Sequence, residues 1–246
     1  MSRFLRALYL AVAVLAIGIF AASCGSTSTH ARFVNTISNG PNLDLVMNGS
    51  TAFTNVAFGS VEPTSGYKSF SSGSDPFIAY PTGTTSDPLI SSNLNLSSSN
   101  KYLVVLAGLD GNTGTVPPAG IVLTDNNAAP ASGQVNFRMV NASTWAAQNL
   151  VNTGAVDVYL VPPGTPLGSV TPNSTALQYT QASAYLPVGV PTGGTLEMDI
   201  TVSGSTVPLF TQNYSVTAGQ VRTVVLDDTA GGISINTTPV FLADLN

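Results

Sequence analysis

Few side chains in this 246-residue chain could do chemistry, and their spacing decides what kind. The one histidine, His30, follows a stretch of small polar residues six positions after the one cysteine, Cys24. A catalytic thiol or hydroxyl needs a base held within hydrogen-bond reach by a folded frame, and a flexible segment supplies none. Ser65-Gly66-Tyr67-Lys68 has the Ser-x-x-Lys spacing of an acylating serine. That chemistry also needs the serine at a helix start, with Ser-Asp-Asn and Lys-Thr-Gly partners, and neither tripeptide occurs. Asp227 and Asp228 are adjacent carboxylates. Neighbours on a strand point to opposite faces, so they are expected to mark a strand end at the surface. Asp110-Gly111-Asn112 places oxygen ligands on a turn but lacks the other acidic positions and closing Glu of an EF-hand loop. No Gly-x-Ser-x-Gly elbow, phosphate loop or zinc cluster occurs. No catalytic residue, metal ligand or cofactor is therefore expected.

Cys24 has a different chemistry open to it, because of what precedes it. In "MSRFLRALYLAVAVLAIGIFAASC", Arg3 and Arg6 form a positive start, and Ala7 to Ala22 is an uncharged apolar run of 16 residues. That is an export signal in pattern, and short of the roughly 18 residues of a spanning helix. Ala21-Ala22-Ser23-Cys24 resembles the lipobox of bacterial lipoproteins, with Ala21 where that family usually has Leu. The resemblance implies cleavage before Cys24 and acylation of its thiol, with more than one chain, enough for stable anchoring. Ala21-x-Ser23 also suits an ordinary signal peptidase, which would leave Cys24 a free thiol. Lipidation is favoured, since a lone exposed cysteine is a liability in an oxidising compartment. Residues 1–23 are thus read as a lipoprotein signal peptide and 24–30 as a tether. The protein is expected to be exported and membrane-anchored, at the outer membrane or cell surface.

Charged residues make up only 8% of the chain, against about 25% in typical soluble domains. Removing Arg3 and Arg6 from the seven basic residues leaves five against twelve acidic, a net charge of −7. Nucleic-acid binding needs clustered Lys and Arg to displace counterions, and that class is excluded. With one cysteine no intramolecular disulfide can form, so stability must come from core burial. About 220 mature residues suffice for that.

The elements that must position everything else are strands. Runs rich in Val, Leu, Thr and Tyr are bounded by Gly, Pro, Asn and Ser clusters. "NLDLVMNG" alternates Leu43, Leu45 and Met47 with polar-facing positions and ends in the turn signal Asn48-Gly49. With 16 prolines and 23 glycines, long helices are not expected.

The text also repeats. "NLNLSSSNKYLVVL" (Asn93 to Leu106) aligns without gaps on "NYSVTAGQVRTVVL" (Asn213 to Leu226). "RFVNT" (Arg32 to Thr36) aligns with "RMVNA" (Arg138 to Ala142), and "NLDLV" (Asn42 to Val46) with "AVDVY" (Ala155 to Tyr159). The same order of matched segments predicts two units, 31–126 and 134–246, joined by the linker 127–133. Each suits an immunoglobulin-like antiparallel β-sandwich, without the Cys and Trp signature of true immunoglobulin domains. The predicted fold class is all-β, two tandem sandwiches after an N-terminal signal helix.

An opening strand "ARFVN" or "FRMVNAS", then "(V/L)D(V/L)", and later a hairpin ending in "VVL", resembles the bacterial domain of unknown function 4397 family. Its members are exported, often lipid-anchored, and frequently carry the domain twice. The family opening often reads like His-Ala-Ser-Pro-Asp. Here Asn35-Thr36-Ile37-Ser38 and Asn141-Ala142-Ser143-Thr144 lack both its histidine and its proline. The family has no established activity, so the resemblance carries over no catalytic residue.

Asp44 and Asp157 match in the repeat and are expected on solvated faces, or else to cap a loop or pair with the matched Arg32 and Arg138. Trp145 is the candidate ligand contact, in a loop where the second unit is seven residues longer than the first. A tryptophan on a sandwich-end loop can anchor a partner, or fold back over its own core. These readings converge on a non-catalytic binding or structural module, held by its lipidated N-terminus to a membrane. The partner would be an envelope protein or a polysaccharide. The alternatives are an accessory subunit of an envelope assembly and a carbohydrate-binding surface protein.

Overall fold

A computed structural model describes residues 28–244 except Thr113. The signal peptide and Cys24 lie outside the described residues. The described chain is all-β, with strands in four sheets and only short helices. None of those helices is long and apolar enough to cross a membrane.

The first half contains β1 (Ser28–Asn35), β2 (Leu43–Met47), β3 (Ser50–Val56), β4 (Val61–Glu62), β5 (Lys68–Ser71), β6 (Gly73–Pro81), β7 (Ile90–Leu96), β8 (Lys101–Ala107) and β9 (Ala119–Thr124). They form two sheets, β4-β1-β8-β9 with β5 also on β1, and β3-β2-β6-β7. The second half contains β10 (Gln134–Asn141), β11 (Val156–Val161), β12 (Ser174–Leu177), β13 (Leu186–Gly189), β14 (Thr195–Val202), β15 (Pro208–Ser215), β16 (Val221–Leu226) and β17 (Val240–Asp244). Its sheets are β13-β10-β16-β17 and β12-β11-β14-β15. Segments matched in the sequence take matched registers. Arg32 pairs with Leu103 across the parallel strands β1 and β8, and Arg138 with Thr223 across the parallel strands β10 and β16.

Local signals account for much of this. Leu43, Leu45 and Met47 are buried and their neighbours only partly so, as alternation on a half-covered strand requires. Asn48 and Gly49 take φ of 51° and 71°, the left-handed pair that reverses a tight hairpin into β3. One expectation is corrected. The strands ending in "VVL" are not paired with the strands before them: β7 and β8 lie in different sheets, as do β15 and β16. The polar turn between them carries the chain across the sandwich.

Each half has its own core, one around Phe33, Leu45, Phe77 and Leu106, the other around Phe137, Val158, Met198 and Leu226. A third cluster joins the halves: Val34, Leu103, Val105 and Ala107 pack against Val140, Ala142, Val225 and Leu242. This explains why β8 is buried along both faces. Tyr102, Val104 and Leu106 face the first core, and Leu103, Val105 and Ala107 face the second half. The turns after β1 and β8 meet those after β10 and β16. Gly231 N–H donates to the Ser38 carbonyl at 2.8 Å. A Cβ on Gly232 would lie 3.0 Å from Leu109 and 3.1 Å from Ser38. The two halves therefore point the same way, and their loops gather at a common end.

Candidate functional site

Two polar constellations are built on this frame. The first is buried between the halves. The Arg32 Nη2 donates to Asp125 at 3.0 Å and to Asp244, and its Nη1 to the Ala243 carbonyl at 3.0 Å. Arg138 Nη2 donates to Asp125, its Nη1 to the Thr124 carbonyl, and its Nε to Thr223 Oγ1 at 3.1 Å. Tyr67 donates its hydroxyl to Asp125 at 2.7 Å and Tyr185 to Asp244 at 2.9 Å. Each arginine also stacks on its own tyrosine, Arg32 on Tyr67 and Arg138 on Tyr185.

Two cations face two anions, so the cluster is neutral and nearly all its donors are used. Burial opposes the charge on Arg32, but Asp125 and Asp244 beside it outweigh that and hold its pKa above the ordinary value. Burial, with Asp125 next, likewise raises the Tyr67 hydroxyl above its usual range. The one flaw in the cluster is Arg32 Nε, which has no partner among the described residues. In the second half the equivalent donor reaches Thr223, whose counterpart in the register is the apolar Leu103.

Asp44 and Asp157 do not join this cluster. Each instead caps loops at the far end of its sheet. Asp44 accepts from Asn55 N–H at 2.8 Å, Gly83 N–H at 3.0 Å and the Thr82 hydroxyl. The Gly83 and Asn55 amides hold its carboxyl below the usual range. Asp157 accepts from Ala176 N–H at 2.7 Å and Gly204 N–H at 2.8 Å, and is buried, not solvated. Loop capping is what the repeat preserved. His30 is also relocated: it lies within β1, paired with Lys101 and Ser69, because the strand begins at Ser28 inside the expected tether.

The second constellation lies at the gathered loop end and contains Trp145. A short helix, Thr144–Asn149, follows β10, and its N-cap Ser143 accepts from Ala146 N–H at 3.0 Å. Asp228 completes the cap from across the half. Its carboxylate accepts from the Ser143 and Thr144 hydroxyls, from Thr144 N–H at 2.8 Å and from Trp145 N–H at 3.1 Å. Gly154 packs beneath with φ of 76°, where a Cβ would come within 2.6 Å of the Ala146 carbonyl carbon. The helix is thus fixed at both ends of its contact, and Trp145 stands on it half-buried.

Asp227 and Asp228 are not surface markers: they are 0% and 1% exposed. The strand ends at Leu226, so the alternation that would send them to opposite faces no longer applies. Asp228 turns to the helix, and Asp227 to Asn236, whose side chain reaches it at 3.3 Å. Burial pushes the Asp227 carboxyl up to about 7. A carboxyl raised in the folded state stabilises it below the unfolded pKa of about 3.9, and that contribution is lost as pH rises toward the folded value. The wild-type protein is therefore expected to lose stability between about pH 4 and pH 7, by up to about 4 kcal/mol from this group. Asp227→Asn should flatten that slope and stabilise the protein at pH 7 in urea unfolding. An unchanged slope would place the pH dependence elsewhere.

The remaining residues add no chemistry. Ser65 and Lys68 flank Tyr67 without forming a helix start, and Lys68 donates to the Ala52 carbonyl. Among the described residues no three His, Cys, Asp or Glu side chains are grouped to hold a metal ion. The carboxylates of Asp125 and Asp244 are engaged by arginines, that of Asp228 by the helix cap, and those of Asp44 and Asp157 by loop amides.

The family model described as Domain of unknown function (DUF4397) matches residues 29–159, from the start of β1 through the fourth residue of β11. The chain belongs to the DUF4397 family. The match contains Arg32, Tyr67, Asp125 and Arg138 of the buried cluster, while Tyr185, Thr223 and Asp244 lie beyond it. No curated protein matches the chain. Among solved structures, the carbohydrate-binding module CBMbc (family CBM26) from Eubacterium rectale Amy13K, in complex with maltoheptaose, covers 86% of this chain and 97% of its own. At 10% identity and a TM-score of 0.25 that likeness carries no argument about this chain.

Proposed function

We propose that this DUF4397 protein is a lipid-anchored, non-catalytic display module of the cell envelope. It would be exported, cleaved before Cys24, acylated there, and held at the outer membrane or cell surface. The two halves, 31–126 and 134–246 with 127–133 between them, would be two copies of the family domain. Matched strand registers and matched Asp caps support that reading. The observation that carries the binding role is Trp145, half-exposed on a rigidly capped helix where loops of both halves converge. A fixed aromatic at such a place contributes contact area at little entropic cost. The partner would be an envelope polysaccharide; an envelope protein, with this chain as an accessory subunit, is the other reading.

The test has two steps. Intact mass of the mature protein from native membranes should show a chain starting at Cys24 with added acyl mass. An unmodified Cys24 would defeat the anchor. Purified cell-envelope polysaccharides should then be screened against wild type and Trp145→Ala. At least one should bind, and the substitution should cost about 2 kcal/mol or more of that binding. Retention of binding by Trp145→Ala would remove Trp145 from the site. Binding of envelope protein alone, captured by crosslinking at the helix, would favour the subunit reading.

A further inference from the structure

The hairpin between β16 and β17 begins with a buried acid that the fold itself does not require. The gap-free alignment of the repeat, carried two residues past Leu106 and Leu226, sets Ala107 and Gly108 opposite Asp227 and Asp228. Ala107 is 1% exposed and Asp227 0%, so the same buried position takes a methyl group in one half and a carboxyl in the other. The carboxyl carries a burial cost that the methyl group does not.

The two acids are not equivalent. Two hydroxyls and two amides donate to Asp228, which suits a carboxylate, an acceptor only. Asp227 meets one side-chain donor, the Asn236 amide, at 3.3 and 3.4 Å from its two oxygens. Among the described residues neither acid has a cation partner. Tyr179, from the turn after β12, faces Asp228, and burial with Asp228 pushes its hydroxyl up to about 12. With an anion already fixed beside it, Asp227 is the member that keeps a proton, in line with its raised pKa.

Asp227 and Asn236 form the base of the hairpin. Asn236 N–H donates to the Asp227 carbonyl at 2.9 Å, and Asp228 bridges to Ile235. Further out, Thr229 N–H donates to the Ser234 carbonyl at 2.8 Å. The tip is wedged between the halves. Gly231 N–H is bonded to Ser38 of the first half, and a Cβ on Gly232 would lie 3.0 Å from Leu109 and 3.8 Å from Oγ1 of Thr144, the residue before Trp145. Ile233, next to the tip, is 77% exposed, so it gives the tip no apolar anchor.

We infer that the hairpin Asp227–Asn236 is a latch worked by the proton on Asp227. Protonated, Asp227 leaves the base closed and the tip seated between the first half and the Trp145 helix. Ionised, it sets a second buried anion beside Asp228. Water reaches that anion when Asn236 parts from it and the tip lifts from Ser38, which opens the seam beside Trp145. The latch needs neither the lipid anchor nor a partner at Trp145. In the open hairpin Asp227 returns to an ordinary value of about 3.9, so opening gains about tenfold per pH unit between about pH 4 and pH 7 and levels off above.

Amide hydrogen exchange of the purified protein, read as protection factors at pH 5 and pH 7, tests this. Gly231 and Thr229 should be less protected than Val224 in β16, and their protection should fall about fifty-fold between the two pH values. Asp227→Asn, and Asp227→Ala with the first half's own residue, should abolish that fall. Gly231 protection equal to that of Val224 at both pH values would mean that the hairpin opens only with the whole fold, and would overturn the latch. So would wild-type Gly231 protection that does not change with pH, or a change that persists in both variants.

Discussion

Replacing Asp125 by alanine is expected to lower the unfolding free energy by about 3–5 kcal/mol, the loss typical when one member of a buried ion cluster is removed. Asp125 takes a guanidinium hydrogen bond from each half, from Arg32 and from Arg138, and a third from Tyr67. All three groups would keep their burial and lose their acceptor. Arg32 would still face Asp244, but among the described residues Arg138 has no other ion-pair partner. Asp244→Ala should therefore cost less than Asp125→Ala, because both arginines keep Asp125 in that variant. The ranking is sharper than either magnitude, since it follows from which cation is stranded. Urea or thermal unfolding of the two variants side by side decides it. A cost for Asp125→Ala within about 1 kcal/mol of wild type, or a reversed order, would show that water reaches the cluster and solvates the stranded charge.

The cluster also shows what the sequence made visible and what it did not. The repeat pointed at Arg32 and Arg138 as a matched pair, which is how they behave. For Asp44 and Asp157, which also match, the same pattern leaves solvated faces, loop caps and pairing with these arginines all open, and the structure makes them loop caps. The true acceptors are matched too: Leu123-Thr124-Asp125 aligns with Leu242-Ala243-Asp244, and Ser65-Gly66-Tyr67 with Ser183-Ala184-Tyr185. Those signals are three residues long with one position varied in each, too short to stand out unless the longer matches have fixed the register first. Choosing between two matched acids needs the strand order. β9 and β17 sit beside β8 and β16, two strands from β1 and β10, and no local pattern reports that.

Periodicity was informative wherever one face of a strand met water. The alternation in β2 was legible for that reason. It fails where both faces are covered, and the near-continuous apolar run Tyr102 to Ala107 is the mark of that condition. Read so, "YLVVLA" and "TVVL" mark the strands that join the halves. The misplacement of Asp227 and Asp228 has a related cause. Strand alternation was extended past the end of the strand, where the chain turns inward to meet a helix that the sequence signals only weakly. Six residues cannot sustain an apolar stripe, and the Ser143 cap is an ordinary one in a Ser-rich chain.

That helix depends on Asp228, so Asp228→Ala should cost about 2–4 kcal/mol and loosen Trp145 at once. Two hydroxyls and two backbone amides donate to this carboxylate, all of them buried or nearly so. Hydrogen bonds to a charged acceptor contribute about 1.5–3 kcal/mol each where one can be isolated. Four that share one acceptor do not sum, and Ser143 still caps Ala146 when Asp228 is gone. Asp228→Asn tests charge against shape. Its amide would aim two donors at a site where every neighbour already donates, so it should recover little of the loss. Trp145 is the only tryptophan, and its emission reports the site without a label. In Asp228→Ala the emission should shift to the red as the first helical turn frays, at denaturant concentrations well below the main transition. Binding by Trp145 would then fall in two distinguishable ways. Trp145→Ala removes the contact on a helix that stays in place, whereas Asp228→Ala keeps the contact and releases the helix. A red shift in Asp228→Ala with binding intact would mean that the indole needs no fixed helix. Unchanged emission would mean that Ser143 alone holds the cap.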